Sequence, residues 1–241
     1  TGAARTATIC GSVVLLAAEK TRDKAKKIAA HMLEAAYDDI EFDQGEFIVA
    51  GTDRQVSFSD VIDVAFEPSK VPTGMEFGLY ETASWSPETT NIPNTYHVCE
   101  VEIDPDTGTT ELVRYAAVHD VGVELNPVLV DGQVIGGIAQ GVGQALMEQM
   151  MYNQEGQVIT GSFMDYCMPR ASDFCEFTLD RHPVPTSTNP LGVKGAGEGG
   201  TVGALAAVMN GINDALERVG VHNLGMPATP ERVWKAIQEA S

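Results

Sequence analysis

Asn189-Pro-Leu-Gly-Val-Lys-Gly-Ala-Gly-Glu-Gly-Gly-Thr-Val-Gly203 is the stretch whose reading decides this chain. It is dense in glycine, holds one lysine and one glutamate, and runs into an alanine-rich segment, Ala204 to Leu216, that reads as a helix. Glycine lets a backbone approach a ligand closely or adopt positive φ. A glycine-rich loop that feeds a helix N-terminus offers N–H groups without intrahelical partners and a positive dipole end. Glu198 in the middle of it has two readings. It is a surface carboxylate favoured by the helix dipole, or it is a catalytic base. Gly195-Ala-Gly197-Glu-Gly-Gly200 also satisfies GxGxxG. Pro190 and Gly192 interrupt the strand that a dinucleotide fold needs before that motif, and a carboxylate inside it would repel a pyrophosphate. Lys194 precedes the glycines, so the loop is not a Walker A sequence either.

The 241 residues carry 15 Lys+Arg against 34 Asp+Glu, a net charge of −19. Such a surface makes nucleic acid and anionic membranes poor partners. No run of sequence is apolar for long enough to span a bilayer. Cys10, Cys99, Cys167 and Cys175 form no CxxC pair, which excludes a zinc knuckle or iron–sulfur motif and fits a reducing, cytoplasmic setting. The start, TGAARTATICG, lacks Met and is no signal peptide, so the chain reads as a fragment or a processed product.

Working outward, Ile9 to Leu33 reads as a long helix with apolar positions at Val13, Leu16, Ala17, Ile28 and Leu33. The small residues before it are either a cap region, with Thr6 or Thr8 capping, or a second cofactor-touching loop. Ile40 to Val49 predicts a hairpin turning at Asp43-Gln-Gly45, and Ser59 is placed as cap of a helix over Asp60 to Phe66. Residues 71–94 join two lobes, 1–70 and 95–241, in this reading. The strongest strand signal is Thr95 to His119 around the turn Asp104 to Gly108. Asn126-Pro127 opens a helix to about Met150 in which five glycines predict close backbone contact with another element or a ligand. A hairpin over Tyr152 to Thr160, strands over Phe174 to Leu179 and near Val221 to Leu224, and a helix from Pro230 complete the pattern. The class is α+β, helices packed on mostly antiparallel sheets. Five dispersed histidines, His119 among them, read as structural, and Ser162 and Ser172 lack a nucleophile elbow.

Three segments in order carry a resemblance: Asn189 to Glu198, Val130-Asp-Gly-Gln-Val-Ile-Gly-Gly-Ile-Ala-Gln-Gly141, and Gly161-Ser-Phe-Met-Asp-Tyr166. The chain resembles the C-terminal part of molybdenum hydroxylase large subunits, of the aerobic carbon monoxide dehydrogenase large-chain type. Xanthine dehydrogenases and aldehyde oxidoreductases resemble it less. The resemblance implies a molybdopterin cofactor, in its cytosine dinucleotide form, with molybdenum. It implies that Glu198 is the active-site general base of a hydroxylation whose oxygen comes from water. Ala3, Ala4, Arg5 and Thr6 match the small-residue loop at the cofactor, Gln133 a pterin-contacting glutamine, and Lys194, Gly195 and Gly197 the surrounding loop. Asp120, Asn126 and Gln140 are weaker additions, and no side chain here is implied as a metal ligand. Partners implied are the remainder of the large subunit and iron–sulfur and flavin (FAD) domains or subunits, in a hetero-oligomer with two copies. The rival expectation is a non-catalytic fragment or assembly module.

Overall fold

A computed structural model describes Gly2 and residues 4–240. It contains two compact units, Ile9–Glu88 and the larger Thr1–Thr8 with Thr89–Ser241. The division falls after Glu88, inside the stretch 71–94, and the described residues before Ile9 group with the larger unit.

The smaller unit is built on α1 (Gly11–Met32), preceded by a π-helical turn, Thr6–Cys10. Neither threonine caps α1: Cys10 at the cap position has helical dihedrals and no side-chain bond, and the Thr8 hydroxyl donates to the Ala4 carbonyl at 3.2 Å. The hairpin β1 (Ile40–Asp43) and β2 (Glu46–Val49) turns at Gln44 and Gly45, both at positive φ, the signature of a two-residue type I′ turn. β3 (Gln55–Ser57) extends the sheet, and α2 (Phe58–Ala65) follows. Its cap is Ser57, not Ser59. Ser57 is still extended, so its hydroxyl can accept from the Asp60 amide at 3.1 Å. Ile28, Ile40, Phe47 and Val61 form this unit's core.

In the larger unit, β4 (Asn94–Ile103) and β5 (Thr110–Asp120) form the long hairpin, and β6 (Phe177–Arg181) lies on the other side of β5. β6 starts later than the sequence suggests and is parallel to β5, the one parallel pairing among described strands that otherwise pair antiparallel, in keeping with the mostly antiparallel sheets expected. The reason is topological: α3 (Pro127–Leu146) intervenes, and a crossover returns the chain in its original direction. α3 ends at Leu146, before the expected Met150. Residues Tyr152 and Val158 make a single bridge where a hairpin was expected. Val221 to Leu224 is not a strand. The Asn213 side chain does the work of a neighbouring strand, accepting from the Leu224 amide at 2.7 Å and donating to its carbonyl at 3.3 Å.

α4 (Gly199–Glu217) packs along α3 and over β4, and α5 (Pro230–Ala240) closes the unit by burying its own Val233 and Ile237 in the core. Tyr115, Ile138, Val142, Val208, Ile212 and Leu216 are the centre of its core. Glycines make the helix pair possible, since a Cβ on Gly200 would lie 2.4 Å from the Val134 carbonyl oxygen. Part of the glycine content of α3 is thereby explained by helix contact, but Gly132 and Gly136 face open space. The class is α+β: five α-helices and two three-stranded sheets among the described residues. None of these helices is long and apolar enough to cross a membrane.

Candidate cofactor-binding site

The glycine-rich stretch is held before it reaches Glu198. Asn189 is buried and brackets the loop, donating to the Val193 carbonyl at 2.8 Å and accepting from the Val193 amide at 3.2 Å. The Lys194 amide donates to the Val121 carbonyl at 2.7 Å, just past the end of β5. The Lys194 ammonium pairs with Asp120 at 2.6 Å, with the two side chains 11% and 10% exposed. Asp120 also accepts from the amides of Gly122 and Val184, at 2.9 and 3.0 Å. Burial pushes the Asp120 carboxyl up, but Lys194 and the two amides, with Asn94, outweigh it and hold the group at about 2. Sequence reasoning ranked Asp120 low and missed Asn189. Their only signal is a polar residue where an apolar strand ends and where a glycine loop begins.

Beyond Lys194 the loop opens. Gly195 lies against Ala4: a Cβ there would sit 3.0 Å from the Ala4 Cβ, a tight contact that the Ala4 turn would have to yield to. Ala4 itself has φ of 52°. The Gln133 amide on α3 donates to the Gly197 carbonyl at 3.0 Å, and the Thr201 hydroxyl donates to Gln140 at 3.1 Å. Glu198 is the cap residue of α4, exposed, with no side-chain hydrogen bond to the helix. Ala4, Gln133, Gly195, Gly197 and Glu198 are thus brought together by three elements distant in sequence. Arg5 and Thr6 are exposed next to Ala4. The Lys194 side chain is turned toward Asp120, which ties the base of the loop to the end of β5. Ala3 lies outside the described residues.

Beneath the start of α4 sits a second polar group. His97 Nδ1 shares a hydrogen bond with the Tyr115 hydroxyl at 2.6 Å, and Nε2 with the Thr95 hydroxyl at 2.7 Å. Its ring covers Gly203, and burial, then the proximity of His119, lowers its pKa. His119 is 3% exposed and neither ring nitrogen has a hydrogen-bond partner among the described residues. Its Nε2 lies 3.7 Å from Glu124, which faces Arg181 at 3.6 Å, and Arg181 pairs with Asp131 on α3. No cluster of three or more His, Cys, Asp or Glu among the described residues could hold a metal ion.

A loop clamped at its base, a glutamine bound to its rim and an acid at a helix N-terminus form a candidate site for a polar organic group. Residues 1–175 match the family described as molybdopterin cofactor-binding domain, and the chain belongs to that family, among the molybdenum hydroxylases. It is 34% identical over 236 residues to the carbon monoxide dehydrogenase large chain of Hydrogenophaga pseudoflava, covering 98% of this chain and 29% of that one. It is 38% identical to the nicotine 6-hydroxylase large subunit of Paenarthrobacter nicotinovorans, covering 97% and 29%. The fold superposes on a Cu,Mo-CO dehydrogenase crystal structure with a TM-score of 0.90, at 30% identity, over 98% of this chain and 30% of that one. Quinoline 2-oxidoreductase from Pseudomonas putida 86 gives 0.89 at 37% identity, over 98% and 30%. The chain therefore spans less than a third of the length of the curated relatives it matches. It corresponds to the molybdenum-cofactor-binding segment of a hydroxylase large subunit.

Proposed function

We propose that this chain supplies one wall of the cofactor site of a molybdenum-dependent hydroxylase, and that Glu198 is its general base. The supporting observation is the placement of Glu198. Its carboxylate stands at the head of α4 with no capping hydrogen bond to the helix, one residue from the Gly197 carbonyl that Gln133 holds. The residues suit a pterin: the Gln133 amide and the helix N-terminus present donors, and Gly195 lets the backbone close on the Ala4 turn. When bound, the molybdenum-bearing pterin supplies two-electron oxidation of a small carbon-centred substrate with oxygen from water. Gln133 fixes the rim, the Asp120–Lys194 pair fixes the base of the loop, and Glu198 accepts and releases the proton at its carboxylate oxygens.

The cofactor form proposed is the cytosine dinucleotide. The proposed partners are the remainder of the large subunit and iron–sulfur and flavin subunits, in a cytoplasmic complex holding two copies. The cysteine spacing, with no CxxC pair, supports assigning cluster ligation to those partners. Glu198→Gln in the full complex tests the reading. Turnover should fall by a factor on the order of 100 to 10,000, with molybdenum content unchanged. Undiminished turnover would instead favour a non-catalytic assembly role.

A further inference from the structure

Between α3 and β6 lies a long segment with no strand or α-helix, and it carries the turn Ser162 to Tyr166. That turn is tied at its base. The Ser162 hydroxyl donates to Asp165 at 2.6 Å, and the Asp165 and Tyr166 amides donate to the Ser162 carbonyl at 3.1 and 2.9 Å. The Tyr166 hydroxyl donates to Glu148 at 3.2 Å. The tip of this braced turn holds Phe163 and Met164, 88% and 96% exposed. Met150 and Tyr152 are exposed in the same segment, and a concavity of about 290 Å³ lies between Met150, Thr160, Phe163 and Tyr166. Apolar side chains gathered on one braced turn beside a concavity are the kind of exposed surface that marks an interaction site. Phenylalanine and methionine are also the side chains enriched in interface cores, methionine because it adapts to irregular contacts.

Two facts select the occupant. The matched relatives are single chains of which this one spans 29%, so most of a large subunit lies outside this structure. Between Met147 and Pro169 the sequence has Glu148, Glu155 and Asp165 and no lysine or arginine. A symmetric contact with a second copy would set acid against acid. We propose that Phe163 and Met164 are a docking knob that the remainder of the same large subunit receives. This rests on the reading of the chain as a hydroxylase segment and adds the surface through which it joins the rest.

The test uses the full-length large subunit in its native complex. Photo-reactive benzoylphenylalanine is placed at position 163, and Phe163→Cys is labelled with a maleimide, its rate read at that peptide in folded and denatured protein. The expected results are a cross-link to a peptide of the same polypeptide outside residues 1–241, and labelling slowed by about tenfold or more in the folded complex. Labelling at the denatured rate, a cross-link to a second copy or another subunit, or a mature polypeptide holding nothing beyond these residues overturns it. Molybdenum and pterin content is read on the same sample. Their absence counts against the functional reading alone, and the cross-link result stands independently.

Discussion

Gly203→Ala and Gly211→Ala make the same chemical change in one helix, eight residues apart, and should have opposite signs. In a helix interior alanine is favoured over glycine by about 1 kcal/mol. At Gly211 the new Cβ would sit 3.4 to 3.6 Å from Cys99 and Val101, ordinary contact, so the full gain should appear. At Gly203 it would lie 2.4 to 2.7 Å from the His97 ring. That ring cannot swing away without giving up the Tyr115 and Thr95 hydrogen bonds, each worth about 1 kcal/mol. Overpacking adds roughly 1–3 kcal/mol. After the propensity gain is subtracted, Gly203→Ala should destabilise by about 2 kcal/mol or more. Hydrogen exchange of the α4 amides reads this locally, with protection lost in Gly203→Ala and gained in Gly211→Ala. In a His97→Ala background Gly203→Ala should become neutral or stabilising. If it still destabilises there, or if Gly203→Ala alone is harmless, the clamp of His97 on α4 is refuted.

Lys194→Met leaves the Asp120 carboxylate buried beside its two amide donors with its cation gone, a loss of about 3 kcal/mol that Lys194→Arg should largely restore, measured by urea unfolding. Asp120 is held at about 2 against an ordinary 3.8, so the native state binds its proton more weakly than the unfolded chain. Its stabilisation is complete above the ordinary value and is lost as pH falls from about 4 toward 2, and an Asp120→Asn variant should show a flatter profile there. His97 is lowered from 6.5 by burial and by His119, so the unfolded chain takes up the proton first. Stability should fall as pH drops through about 6.5, and a His97→Gln variant should lack that part of the slope.

Much of the architecture is legible in the residues. Gln44-Gly45 specifies its turn because both positions need positive φ, and Asn126-Pro127 opens α3 because the asparagine side chain reaches the Leu129 amide at 3.2 Å. Local chemistry of this kind is written in neighbouring residues and needs no knowledge of the rest. The cap at Ser57 and the direction in which β6 pairs are not local in that sense: one depends on where the chain leaves the sheet, the other on a crossover through α3.

By itself the sequence determined the α+β class, the glycine loop feeding a helix, and a single acid, Glu198, set among those glycines, since composition and turn preference act within a few residues. Only the tertiary structure decided that Gln133 reaches Gly197, that Gly195 closes on Ala4, and that Lys194 faces Asp120. These pairs lie tens to nearly two hundred positions apart along the chain. They meet because α3 and α4 bury one apolar face against each other and against the β4–β5 sheet, and that shared core fixes where each polar end emerges.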